Sequence, residues 1–227
     1  ARYAAAELAF KRSLAIKEKA LGPEHPSTAA GLNDLALLYN AQGRYAEAEP
    51  LFKRTLAINE NFLGPEHTAT AMGLNSLAAL YLRQHRFGEA EALYRRTLAI
   101  FQKALGETHF VTAISITSLA RIYVAQGRYP EAEALYKRSL AINEKVFGPE
   151  HPATGSNFND LAVLYVNQGR YAEAEPLFKR SLAIHEKAFG PDHPNIATGL
   201  NNIATIYHNQ GRYAQAEPLY KRSLAIK

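Results

Sequence analysis

Along residues 27–42, STAAGLNDLALLYNAQ, the apolar positions Leu32, Leu35, Ala36 and Tyr39 stand at i, i+3, i+4 and i+7. That spacing lays one apolar stripe along a helix. A second stretch, YAEAEPLFKRTLAINENFL over 45–63, puts Tyr45, Ala48, Phe52 and Leu56 on one face. Gly43 follows the first stretch and Gly64 the second, where glycine commonly ends a helix. A copy of the second stretch carries Pro130 near its start, where proline suits the first helical turn. The pattern predicts helix A, a short Gly-Arg turn, helix B, and then a longer turn.

The unit recurs. The longer turn reads LGPEHP from Leu21, LGPEHT from Leu63, LGETHF from Leu105, FGPEHP from Phe147 and FGPDHP from Phe189, each 42 residues after the last. Arg2, Arg44, Arg86, Arg128, Arg170 and Arg212 keep the same period. A single globular core does not require such regularity, whereas a stack of units that dock alike does. The register predicts helix B over 3–21, 45–63, 87–105, 129–147, 171–189 and 213–227, with five A helices between them. The expected fold is all-α, a solenoid of antiparallel helix pairs with 11 helices. It forms a single array over 1–227: a B helix within 1–21, then five 42-residue A/B units, the last truncated. Neither end carries a polar capping helix, and SLAIK stops mid-pattern. The parent chain is therefore expected to continue in both directions.

The turn explains itself in part. Gly22 is expected to supply a left-handed C-cap, Pro23 to stop the helix, and Pro26 to open the next one. The His in each turn is expected to cap or pack there. A metal site is the competing reading. Successive histidines lie on different repeats, without Cys or carboxylates at ligand spacing, so no metal site and no cofactor are assigned. The stripes Tyr45, Phe87, Tyr129, Tyr171, Tyr213 and Phe52, Tyr94, Tyr136, Phe178, Tyr220 are both read as core packing. Pro50, Pro176 and Pro218 fall inside helix B and are expected to bend it slightly.

Composition narrows the function. The 227 residues include no Cys, which excludes disulfides and thiolate metal sites and fits a reducing, cytoplasmic setting. Hydrophobic residues make up 47% and charged residues 21%, with a net charge of +5. No apolar run approaches the roughly 18–20 residues of a membrane helix, so no membrane partner is expected. Each helix B carries a Lys-Arg or Arg-Arg pair, at 53–54 for example, with Glu49 one turn before Lys53. Such i,i+4 pairs read as a solvated face rather than a nucleic-acid surface. There is no G-x-S-x-G, no P-loop, no G-x-G-x-x-G and no H-E-x-x-H, so no catalytic residues are assigned and an enzyme is not expected.

The small, aromatic, Ala and Leu positions of GRYAEAEPLFKRSLAIHEKAFGPDHPNIATGLNNIATIY (169–207) resemble the tetratricopeptide repeat, in the 42-residue form of kinesin light chain and its bacterial relatives. The usual repeat is about 34 residues; the extra length is about one turn per helix. The resemblance covers the whole chain. It implies a right-handed superhelix with helix A lining a concave groove and helix B the convex outside. It also implies a scaffold that binds extended peptide segments of partner proteins.

In that register helix A shows five positions to the groove. Asn33, Asn75, Thr117, Asn159 and Asn201 hold one of them, and by resemblance the four asparagines bind peptide backbone. An amide both donates and accepts, so a ladder of them can serve any extended peptide. The competing reading has these amides bonded to the neighbouring helix. Met72, Ile114, Leu82, Val124 and Val166 supply apolar surface, and Asn167, His208 and Asn209 complete the polar positions. Arg83 and Arg121 are the fixed charges, which points to an acidic residue or C-terminal carboxylate on the ligand; the competing reading leaves both solvated. The family's cargo-binding cations are not matched residue by residue. A structural alternative is a spacer or assembly module that self-associates end to end through uncapped ends.

Overall fold

The computed structural model describes residues 2–226. Ala1 and Lys227, the outermost residues of the first and last expected helices, lie outside the described residues. Among the described residues there are eleven α-helices and no strand. They run α1 (Arg2–Leu21), α2 (Pro26–Ala41), α3 (Tyr45–Leu63), α4 (Thr68–Arg83), α5 (Phe87–Leu105), α6 (Phe110–Ala125), α7 (Tyr129–Phe147), α8 (Pro152–Asn167), α9 (Tyr171–Phe189), α10 (Pro194–Asn209) and α11 (Tyr213–Ala225). Even-numbered helices are the A type. The helices gather into two compact units, Ala1–Glu107 and Thr108–Lys227.

The histidine of each long turn is an N-cap. His25, His67, His109, His151 and His193 sit in extended backbone, and each Nδ1 accepts from the backbone N–H two residues on, at 3.1–3.2 Å. This satisfies one of the orphan donors that open a helix. The ring also packs: Phe147 stacks on His151 and Phe189 on His193, with centroids 4.5 and 4.7 Å apart. Thr28, Thr70 and Thr154 lock the same turn by donating at 2.8 Å to the carbonyls of Gly22, Gly64 and Gly148. Gly22, where a left-handed cap was expected, has φ +95°, and its repeat equivalents depart from that cap. Gly64, Gly106, Gly148 and Gly190 have φ of 85–99° but ψ of 157–165°. That is the extended mirror region open essentially to glycine alone, not the left-handed helical cap.

Helix A ends differently. Gly43 (φ +74°) follows α2; its N–H reaches the carbonyl of Asn40 at 3.1 Å, and the Arg44 N–H reaches Tyr39 at 2.9 Å. This double bond is the Schellman closure. Unit 1 repeats it after α4 with a non-glycine residue: His85 takes φ +59°.

Within unit 1, α2 packs with α3 and α4 with α5; within unit 2, α6 packs with α7, α8 with α9 and α10 with α11. Ala36, Ala48, Ala78 and Ala90 in unit 1, and Ala120, Ala132, Ala162 and Ala174 in unit 2, are fully buried, letting helices approach closely. Phe52, Tyr94, Tyr136 and Phe178 are buried beside them, as expected. The other aromatic stripe is not core: Tyr45, Phe87, Tyr129 and Tyr171 are only half-buried, and Tyr213 is exposed. These residues open helix B, where the short turn leaves one side of the ring to solvent. Pro50, Pro176 and Pro218 lie inside otherwise continuous helices.

A second lock ties α1, α3, α7 and α9 each to the next repeat of its unit. Glu133 of α7 accepts from Tyr165 at 3.0 Å, from Arg170 at 2.9 Å and from Lys137 at 2.7 Å, and the Arg170 guanidinium lies 4.0 Å over the Tyr165 ring. Glu175 does the same with Tyr207, Arg212 and Lys179 in unit 2. In unit 1, Glu7 holds Tyr39, Arg44 and Lys11, and Glu49 holds Tyr81, Arg86 and Lys53. Burial works to raise the Glu133 carboxyl, but bonds from Lys137, Arg170 and Tyr165 more than offset it and hold it at about 2. The second basic residue of helix B is paired as well, Arg54 with Glu18 at 2.8 Å and Arg222 with Glu186 at 2.6 Å.

Candidate functional site

Most of the variable positions of helix A are at least half-exposed, although Asn40, one period before Leu82, is buried. In unit 1, Asn33 and Asn75 are half-exposed, and among the described residues neither side chain makes a hydrogen bond. The constant positions beside them, Leu32, Leu35, Ala36, Leu74, Leu77 and Ala78, are buried. Met72 is 65% exposed, far above what a core methionine shows, and Leu82 is half-buried. Arg83 is exposed and forms no ion pair among the described residues.

Unit 2 divides the ladder. The Asn201 side chain is exposed and makes no hydrogen bond among the described residues. Asn159 is partly engaged: its Oδ1 accepts from Asn202 Nδ2 at 3.2 Å. For this residue the bond to a neighbouring helix is what the structure shows. Thr117, the departure from the ladder, shares a hydrogen bond with Ser139 at 2.8 Å. Val124 and Val166 are half-buried, Ile114 and Asn167 exposed. His208 is exposed with its ring edge-on to Tyr213, and Asn209 donates to the Tyr171 hydroxyl at 3.4 Å.

The reading of Arg121 changes. Its Nη2 donates to both carboxylate oxygens of Asp160, at 3.0 and 3.2 Å. The Asp160 side chain is only 15% exposed. Burial pushes its carboxyl up, and Arg121 pulls it back. Arg121 is thus already committed to a carboxylate of this chain. The sequence reading missed Asp160 because that slot holds Asp34, Ser76, Ser118, Asp160 and Asn202, a mixture that marks no role. The available signal was the spacing: Asp160 stands three residues short of one period after Arg121, one helical turn along the neighbouring A helix.

A tetratricopeptide repeat family model matches residues 1–61, 27–103, 69–145, 111–187 and 156–227, spanning the chain from end to end. The chain belongs to the tetratricopeptide repeat family. Among solved structures, it is similar to BtubC (BKLC) from P. vanneervenii, with 22% identity, a TM-score of 0.79, and coverage of 100% of this chain and 91% of that one. It is also similar to a Podosopora anserina protein assigned as a kinesin light chain with nearly identical TPR-like repeats. That match has 30% identity, a TM-score of 0.74, and coverage of 89% of this chain and 95% of that one. Aspartyl phosphate phosphatase F from Bacillus subtilis shares 16% identity at a TM-score of 0.74, over 94% of this chain and 54% of that one. At 22% and 16% identity the first and third similarities speak to the fold alone. A comparison with curated proteins gives no match. The chain is thus an all-α repeat protein with kinesin light chain-like structural neighbours. Repeats of this family generally mediate protein–protein interaction, and the fold typically serves as a non-enzymatic scaffold. No helix among the described residues is long and apolar enough to cross a membrane.

Proposed function

We propose that this chain is a non-enzymatic scaffold that binds an extended peptide segment of a partner protein along its A helices. The observation that carries the reading is the pair of amides at one register position of unit 1, Asn33 and Asn75, half-exposed and without a hydrogen bond among the described residues; Asn201 repeats the feature in unit 2. A half-exposed amide needs no peptide for its own stability, but two at the same repeat position within one unit offer matched donor and acceptor pairs to an extended backbone. The exposed Met72 and Ile114, with the half-buried Leu82, Val124 and Val166, supply apolar contact. Arg83 is the cation open to an acidic residue or C-terminal carboxylate. Arg121 reaches such a group only by leaving Asp160.

The test is an immobilised library of 12-residue peptides probed with the wild-type chain and with an Asn33→Ala, Asn75→Ala, Asn201→Ala variant of equal helicity. At about 1 kcal/mol per lost hydrogen bond, peptides held by the two amides of unit 1 should bind the variant roughly thirtyfold more weakly. Peptides carrying an acidic residue should weaken further with Arg83→Glu. Equal binding by wild type and triple variant would overturn the groove reading.

A second reading has an observation of its own. Leu224 is 83% and Ile16 67% exposed, on α11 and α1. Apolar surface of this kind supports self-association into an assembly module or spacer. Its mark would be a mass that rises with concentration and is restored to monomer by Leu224→Gln.

A further inference from the structure

One register position of helix A holds Gly31, Gly73, Ser115, Asn157 and Gly199. In unit 2 two of its occupants sit in successive seams with different outcomes. Asn157 of α8 fills the seam it shares with α6 and α7. Its Nδ2 donates to Ser139 Oγ at 3.0 Å, and its Oδ1 accepts from Asn143 Nδ2 at 2.5 Å. The next seam, between α8, α9 and α10, has Gly199 in that place and no side chain. A cavity of about 190 Å³ remains there, with Ser181 and His185 at the positions of Ser139 and Asn143. A pocket this small holds one side chain rather than a whole small molecule, whose sites run from about 300 Å³ upward.

The cavity has an unmet hydrogen-bonding group. Ser181 is buried, 4% exposed, and its hydroxyl makes no hydrogen bond among the described residues. Its equivalents in other A/B pairs do: Thr55 donates to the carbonyl of Ala29 at 3.2 Å, Ser139 to Ala113 at 3.1 Å and Ser223 to Ala197 at 2.8 Å. Ser181 lines the cavity, and its Oγ is not among the sealed, unpaired side-chain atoms, so water or a ligand can meet it. The rest of the wall offers acceptors and donors, with the side-chain amides of Asn159 and Asn195 beside hydroxyls. Ser156 and Thr198 donate their hydroxyl hydrogens to the carbonyls of Pro152 and Pro194, which leaves their lone pairs outward. His185 Nε2 lies 3.1 Å from the Pro152 carbonyl, which can only accept, so that nitrogen is the donor. The charges of Asp160 and Arg121 offset each other at 3.0 Å.

We infer that this cavity is a specificity pocket for a side-chain carboxamide, the Gln or Asn of a bound peptide, which takes the place that Asn157 fills in the preceding seam. The group must be uncharged, because the ion pair at the rim is already balanced. It must donate, to the hydroxyl lone pairs of Ser156 and Thr198, and it must accept, from Ser181 and the amides of Asn159 and Asn195. A primary carboxamide meets all three demands, and the protein places one of its own in the equivalent seam. Carboxylates lack the donors, and a Lys ammonium would sit against Arg121. The inference rests on the groove reading and adds the chemistry that reads one ligand position.

The test is a positional-scanning library of 12-residue peptides, applied to the wild-type chain, Gly199→Asn and Ser181→Ala. A Cβ at residue 199 meets only the end of the flexible Leu182 side chain at 3.1 Å, and Asn already occupies this register at 157, so Gly199→Asn is expected to fold. Ser181→Ala removes a hydroxyl without a partner and should leave the unfolding midpoint unchanged. Wild type should favour Gln or Asn over Leu, Glu and Lys at one ligand position by about tenfold, for one or two added hydrogen bonds. Both variants should lose that preference while still binding the library. A wild type that binds peptides without the preference, or variants that keep it, would overturn the pocket and leave the groove standing. A wild type that binds no peptide would overturn both.

Discussion

Replacing Glu133 by Gln removes a charge from the lock between repeats while leaving an oxygen that Tyr165 and Arg170 can still reach. The wild-type carboxyl is held at about 2 in the fold, against about 4.3 in an unfolded chain. That difference of roughly 2.3 pH units sets a ceiling of about 3 kcal/mol on its contribution at neutral pH. The partners are not deeply buried, Lys137 being 59% and Arg170 34% exposed. Solvent screening brings the expected loss to about 1–2 kcal/mol. Because the folded value is depressed, the contribution is fully present above the unfolded value and fades as pH falls through the folded one. Urea unfolding of wild type and Glu133→Gln should therefore show the gap at pH 7 and roughly half of it at pH 3. Glu7 and Glu175 are likewise held at about 2, so the wild type itself should lose stability in the same acid window. A gap unchanged between pH 7 and pH 3, or no gap at pH 7, would refute the charge as its source.

Other substitutions separate the turn elements. His85→Gly relieves the one non-glycine residue at positive φ among the described residues, and should raise the unfolding free energy by about 1 kcal/mol in urea titration. Gly148→Ala forces a Cβ into a backbone region essentially reserved for glycine, so a loss of about 1–3 kcal/mol is expected from thermal unfolding. His151→Ala should cost about 0.5–2 kcal/mol by removing the N-cap of α8, and His151→Asn should restore most of it. Asn40 Oδ1 is buried with no hydrogen-bond partner among the described residues, so Asn40→Leu, the residue found one period on at Leu82, should stabilise by about 1 kcal/mol.

The helices were legible because one signal was repeated five times. Helix A was expected over 27–42 and is found over Pro26–Ala41; helix B was expected over 45–63 and is found there. Glycine, proline and histidine at fixed offsets fix these ends through local chemistry, which a sequence displays directly. What stayed hidden was local geometry without a compositional mark and contacts between repeats. Gly64 shows its positive φ by being glycine, but nothing in its identity distinguishes ψ near 157° from the helical value. Glu49 was read only with Lys53, four residues on, whereas it also holds Tyr81 and Arg86 of the next repeat. The partners of Arg121 and Asn159 come from the neighbouring A helix, and the slots of Asp160 and Asn202 vary from copy to copy. A periodic sequence announces what every repeat needs, and says least about features that belong to one seam.

The central claim is that the unpartnered amides of helix A hold a peptide backbone, and their own NH2 groups report on it. The direct measurement is a 15N–1H NMR titration of the wild-type chain with the tightest peptide selected from the 12-residue library. The account predicts that the side-chain resonances of Asn33 and Asn75 in unit 1 shift together and saturate at one affinity, while that of Asn143, bonded to Asn157 inside unit 2, stays in place. Saturable shifts confined to helix B residues such as Lys53, Arg54 and Lys137, with the two amides unmoved, would contradict it.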